Sequence, residues 1–186
     1  MPDMHEVVID SVRVSLMSSQ RVVILRQKDV DRYLPVWIGP HEAEAITVAL
    51  QEVEIIRPLT HDLLKNTFSL LNGKILRVEI VALKEDIFYG SIVVEAGGKT
   101  LNLDARPSDA IALAIRVHAP IFVDPQVMDA AGIVPERDMQ VEDLPAGPQE
   151  KPQADAEGQA GDEQRLDVFE DFLKKLGDQG EEKPNS

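Results

Sequence analysis

Extended and helical periods alternate along the first 131 residues, and each helical period there begins at or just after a proline. From Glu6 to Met17 the apolar residues Val7, Ile9, Val12, Val14 and Leu16 are interleaved with polar ones, the pattern of a half-buried strand. The break at Ser18-Ser19-Gln20 predicts a hairpin into a second strand, Val22-Val23-Ile24-Leu25. A third, Tyr33 to Ile38, contains Pro35, which donates no backbone hydrogen bond and so favours a sheet edge. Gly39-Pro40 then ends the strand and opens a helix, with Ile46, Leu50 and Val53 as its buried stripe.

A second helix is predicted from Thr60, read as its N-cap, with Leu64, Phe68 and Leu71 on the buried face and Asn72-Gly73 as its stop. Three extended segments follow, Ile75 to Leu83, Ile87 to Glu95 and Thr100 to Ala105, the last two joined at Gly97-Gly98. The third helix, Ser108 to Val117, carries Ala110, Ala112 and Ala114, small enough to approach a sheet closely. Ile121 to Val123 reads as a short last strand and Pro125 to Ala131 as a short last helix. Strands grouped among helices in this way predict an α+β fold, a mixed or antiparallel sheet with several packed helices. They do not predict a doubly wound nucleotide fold, and no Gly-rich phosphate loop is present.

This globular part is expected over residues 1–143. Beyond it Pro, Gln, Gly, Ala and acidic residues dominate, the composition of a flexible linker over 144–162. Leu166, Phe169, Leu173 and Leu176 then give an amphipathic helix over 163–177, suited to a protein partner, before a disordered tail over 178–186.

The net charge of −14 opposes polyanions, so nucleic-acid chemistry would need a local cation. The chain has no Cys and hence neither disulfides nor thiolate metal ligands. No apolar run is long enough to span a bilayer, and Met1 to Asp10 lacks the pattern of a signal peptide. A cytoplasmic protein with no membrane association is the simple expectation.

Residues that bear chemistry concentrate at two Arg-Pro turns. The first reads Arg57-Pro58-Leu59-Thr60-His61-Asp62, the second Asp104-Ala105-Arg106-Pro107-Ser108-Asp109. Each brings a fixed cation, a hydroxyl and a carboxylate together just ahead of an apolar helix. Helix capping and the helix dipole account for Glu42, Glu44, Asp62 and Asp109 equally well, and Arg57 and Arg106 can pair with Asp104 and Asp109 to fix the turns. His5, His41 and His118 fall outside the two motifs and read as incidental, although His41 follows Gly39-Pro40, which puts it within reach of the same cleft.

With Leu34-Pro35-Val36-Trp37-Ile38-Gly39, Glu42-Ala43-Glu44-Ala45-Ile46, the RPLTHDLL run at 57–64, the DARPSDAIALAIR run at 104–116 and Pro120-Ile121-Phe122-Val123, the chain resembles the bifunctional nuclease domain family of bacteria and plants. The resemblance covers roughly Met4 to Asp138. It implies an α+β domain that self-associates as a homo-oligomer and a nuclease activity on DNA and RNA.

Phosphodiester hydrolysis of that kind needs an activated water, charge stabilisation at phosphorus and a proton for the leaving oxygen. His61, Asp62 and Asp109 are the candidate catalytic residues, with His61 as general acid or base. Arg57 and Arg106, with Thr60 and Ser108, would bind substrate, the arginines as bidentate phosphate clamps. Asp62, Asp104, Asp109, Glu42 and Glu44 offer oxygen ligands for Mg²⁺ or Mn²⁺. Two further readings compete with a metal-assisted nuclease: a non-catalytic module binding an anion or a partner's carboxylate at helix N-termini, and a structural self-associating protein.

Overall fold

The computed structural model describes residues 4–15, 20–53 and 55–134, all within the first of the chain's two units, Met1–Pro148. The Ser18-Ser19 break and everything expected over 144–186 lie outside the described residues. Seven strands form one sheet: β1 (His5–Val14), β2 (Arg21–Gln27), β3 (Tyr33–Ile38), β4 (Lys74–Lys84), β5 (Ile87–Ala96), β6 (Lys99–Ala105) and β7 (Ile121–Val123). Their order is β3-β2-β1-β7-β4-β5-β6, antiparallel throughout except for β4 with β7. The fold is α+β, and β3 with its Pro35 stands at one edge, as expected from a residue that cannot donate to a ladder on both sides.

Among the described residues four helices complete it: α1 (Pro40–Leu50), α2 (Thr60–Leu70), α3 (Pro107–Val117) and α4 (Pro125–Ala131). The innermost is α3. Its small residues Ala110, Ala112 and Ala114 are fully buried with Ile111 and Leu113, which lets the helix lie against β4 and β5 while α1 and α2 pack on its flanks. Full burial of Ile111 and Leu113 is worth about 1.5–3 kcal/mol each. The main core joins these residues to Val23 and Leu25 of β2, Leu34 and Val36 of β3, and Val78 and Ile80 of β4. Because α4 touches both β3 and β4, which lie four places apart, the sheet must curl around it.

Three helical expectations are corrected. The N-cap of α2 is Leu59, and Thr60 is its first helical residue, because the Asp62 carboxylate takes the Leu59 N–H at 2.9 Å and closes the turn one residue earlier. Leu64 and Phe68 do pack on the core, but Leu71 lies beyond the last turn and is exposed. In α1 only Ile46 of the expected stripe is buried, joined by Ala43. Leu50 ends the helix, and the positive φ at Glu52 turns the chain so that Leu50 and Val53 face solvent.

One glycine positions the second Arg-Pro turn. A Cβ on Gly90 in β5 would lie 2.8 Å from the Ala105 carbonyl oxygen and 3.1 Å from the Pro107 nitrogen. These are backbone atoms, which cannot step aside as a side-chain tip can. Gly90→Ala is therefore expected to lower stability by about 1–3 kcal/mol, the usual cost of overpacking. An unchanged urea midpoint would show that the turn is held elsewhere.

Candidate functional site

The first turns of α1, α2 and α3 share a layout. Each helix carries a carboxylate at its third position: Glu42 after the Gly39 N-cap, Asp62 after Leu59, and Asp109 after Arg106. Carboxylates there are stabilised by the partial positive charge of the helix start. The fates of the three nevertheless differ, and the difference locates the site.

Asp109 is the hub. Arg106 donates to it twice, from Nε to Oδ2 at 2.7 Å and from Nη2 to Oδ1 at 3.2 Å. The remaining guanidinium nitrogen, Nη1, reaches Glu42 Oε1 at 2.8 Å and so ties α3 to α1. On its other side, Asp109 Oδ1 lies 3.2 Å from His61 Nε2 of α2. An ionised carboxylate only accepts, so Nε2 is the donor in this contact, and whenever the ring is neutral Nδ1 keeps its lone pair.

Desolvation is the largest influence on Asp109 and raises its pKa. The hydrogen bonds and charge of Arg106, with His61, outweigh it and hold the carboxyl below the usual range. Arg106 is shifted up in turn, first by its bond to Asp109 and also by Glu42.

Around this chain of contacts opens a cleft of about 670 Å³, lined by His41, Glu42, Glu44, Ala45, Val48, Pro58, Leu59, Thr60, His61, Arg106 and Asp109. Three helix starts thus face one cavity. Their dipoles favour an anion there, while Glu42, Glu44 and Asp109 outnumber Arg106.

Of the residues singled out in the sequence, Glu42, Glu44, Thr60, His61, Arg106 and Asp109 come together at the cleft. Four do not. Asp62 turns away: it accepts from the Leu59 N–H and, at 2.7 Å, from Nε of Arg116. Burial raises its pKa, but these two donors, with Lys65, bring it below the usual range. Asp104 is exposed on β6 opposite Ser91, Arg57 is exposed and outside the cleft lining, and Ser108 is buried beneath the turn.

One histidine outside the motifs takes the place its position after Gly39-Pro40 allowed, and one arginine gains a place that the sequence reading did not give it. His41 lines the cleft from the second position of α1, the same position that His61 holds in α2. Arg116 is nearly fully buried and bonds to three helices.

The donor set does not fit a divalent ion in this arrangement. Mg²⁺ requires near-octahedral oxygen ligation, whereas both oxygens of Asp109 and Oε1 of Glu42 are occupied by Arg106 and His61. Among the described residues, no three His, Asp or Glu side chains form a group able to hold a metal ion.

The two depressed carboxyls have a consequence for acid stability. Their contribution is present above the unfolded carboxylate pKa of about 4 and is lost as pH falls through their folded values. The urea midpoint is expected to drop on acidification below about pH 4. Asp62→Asn should flatten that drop, and an equally steep profile in the variant would assign the acid sensitivity to other groups.

Comparison with known proteins bears on this geometry. The model of the "Bifunctional nuclease domain" family matches residues 23–136. Uncharacterized protein Rv1829 of Mycobacterium tuberculosis is 41% identical over 131 residues, covering 70% of this chain and 78% of that protein. Bifunctional nuclease 1 of Oryza sativa subsp. japonica is 25% identical over 120 residues, 62% of this chain but 36% of the rice protein. Bifunctional nuclease of Oryza minuta matches to the same extent. No helix among the described residues is long and apolar enough to cross a membrane. The family match runs from within β2 to just past α4 and takes in every residue that lines the cleft, so the chain belongs to the bifunctional nuclease domain family.

Proposed function

We propose that this protein is a nuclease that cleaves phosphodiester bonds in RNA, DNA or both at the cleft between α1, α2 and α3. The observation that carries the reading is the contact chain His61–Asp109–Arg106–Glu42, set where three helix starts face one cavity. Family membership and the names of the rice relatives support it.

In this reading Asp109 fixes the His61 ring so that its free nitrogen can take a proton from the attacking oxygen. The resulting imidazolium is stabilised by the same carboxylate. Arg106 and the helix N-terminal N–H groups face the charge that grows on the phosphoryl oxygens. Asp62 has no part in the reaction and serves to dock α2. Because the carboxylates do not fit a divalent ion as they stand, no step is assigned to Mg²⁺ or Mn²⁺.

The proposal extends to a homo-oligomer acting in the cytoplasm. The outer strand β6 leaves Leu101 and Leu103 nearly half exposed, an apolar strip of the kind that a second copy can cover. Sedimentation of the full chain tests this part, and a monomer at all concentrations would remove it.

The central test is cleavage of labelled single-stranded RNA and DNA by rigorously purified protein, beside His61→Ala, in Mg²⁺, Mn²⁺ or EDTA. Cutting by the wild type that is lost in the folded variant is the expected result. Equal traces of activity in both would mean contamination and would end the nuclease reading. The cleft would then be tested for binding of inorganic phosphate, as suits the non-catalytic alternative.

A further inference from the structure

The residue that stands where a metal-assisted site would hold its ion is itself a cation. We infer that the Arg106 guanidinium is the resident counter-ion of the Glu42–Asp109 pair, so that Arg106 and a divalent metal ion exclude one another at these two carboxylates.

Three observations converge on it. First, all three donor nitrogens of Arg106 are engaged: Nε and Nη2 with Asp109, at 2.7 and 3.2 Å, and Nη1 with Glu42 at 2.8 Å. Two carboxylates from different helices, brought close enough to share one cation, would repel each other without it. Secondly, both oxygens of Asp109 and one of Glu42 already have partners. His61 Nε2 lies on Asp109 Oδ1, and Glu42 Oε2 folds back against Gly39, where a Cβ would meet it. Thirdly, of the three other carboxylates expected to hold a metal only Glu44 lines the cleft, because Asp62 is held by Leu59 and Arg116 and Asp104 lies outside the lining.

Arg106 can nevertheless be replaced by a metal in principle. It is attached at a turn and its side chain is 65% exposed, so only its two ion pairs hold it in place. Without its charge, Glu42 and Asp109 would be left as two carboxylates with no shared cation, oxygen donors of the kind that suit Mn²⁺. The inference concerns cation occupancy alone and is independent of whether the cleft cuts nucleic acid.

The test is Mn²⁺ binding to the full chain, followed by loss of the free-ion signal in electron paramagnetic resonance. It compares wild type, Arg106→Met and the Arg106→Met/Glu42→Gln double variant, each shown to be folded by thermal melting. Wild type is expected to leave the free Mn²⁺ signal unchanged. Arg106→Met should bind Mn²⁺ at least roughly tenfold more tightly, because a like charge a few ångström away costs on that order or more. The added Glu42→Gln should reverse the gain.

Should Arg106→Met fail to fold, Arg106→Gln, which removes the charge but keeps a polar side chain at the turn, takes its place. Mn²⁺ uptake by the wild type that Glu42→Gln abolishes would overturn the inference. So would a folded charge-removing variant that binds no better than wild type. Absence of cleavage under all conditions would remove the nuclease reading and leave the Mn²⁺ comparison to decide this one.

Discussion

His61→Ala is expected to slow phosphodiester cleavage by about 10²–10⁴-fold, the usual worth of a positioned acid or base. Stability should change little. Only 12% of the side chain is exposed, yet its polar contact is the single one to Asp109, which keeps two hydrogen bonds from Arg106 when the ring is removed. A fall in rate with nearly constant KM would place the imidazole in the chemical step rather than in binding.

Asp109→Asn supplies a second reading of the same group. An amide in that position can donate to Nε2 and favour the opposite tautomer, with the hydrogen on Nδ1. The expected result is a large loss of rate although His61 is still present, as in catalytic triads whose carboxylate is made neutral. If His61→Ala retains strong cleavage equal to wild type, well above a trace shared by both preparations, the imidazole is not the acid or base. His41, which faces the same cleft from α1, would then be the next candidate.

The features legible in the sequence were those encoded over a few residues. Proline after an extended run marked the starts of α1 and α3, since its ring suits the first helical turn and its missing N–H costs nothing there. Pro35 marked an edge strand for the same chemical reason. Local patterns also gathered the motif residues Glu42, His61, Arg106 and Asp109, which do meet at the cleft. They could not show which way each carboxylate turns. Asp62 occupies in α2 the position that Asp109 occupies in α3, and only a residue 54 places further on, Arg116, draws it out of the cleft. Such a pairing leaves no local trace.

The role of Gly90 was likewise hidden, because the atoms it makes room for belong to the following strand and turn. Nor did the three residues of β7 announce that they would lie in the middle of the sheet, between β1 and β4. A short apolar run states that it is buried and not what it is buried between. His41 did have a signal: it holds in α1 the position of His61 in α2, visible once both helices are numbered from their caps.

Arg116→Met is expected to destabilise the protein by about 2–4 kcal/mol, more than any change in the cleft, since breaking a buried ion pair leaves its partner and its carbonyls unsatisfied. The guanidinium is 6% exposed and lies where three helices meet. Nε bonds Asp62 of α2 at 2.7 Å, while Nη1 bonds the Ala112 carbonyl of its own helix at 2.8 Å and the Ala45 carbonyl of α1 at 3.1 Å. Met keeps much of the apolar stem and none of the donors, so packing loss contributes little to the expected change. The cost stays below the top of the range for buried pairs because Asp62 is one-third exposed and keeps the Leu59 N–H. A cycle with Asp62→Asn should return a coupling of at least about 1 kcal/mol, as residues in one buried network do not act additively. Cleavage should fall with stability, because α2 brings His61 to Asp109 and Asp62–Arg116 is the polar tie between α2 and α3 on the side away from the cleft. A variant that melts and cuts like wild type would mean that apolar packing of Leu64 and Phe68 suffices to seat α2. The contact chain around Asp109 would then have to hold the three helix starts together by itself.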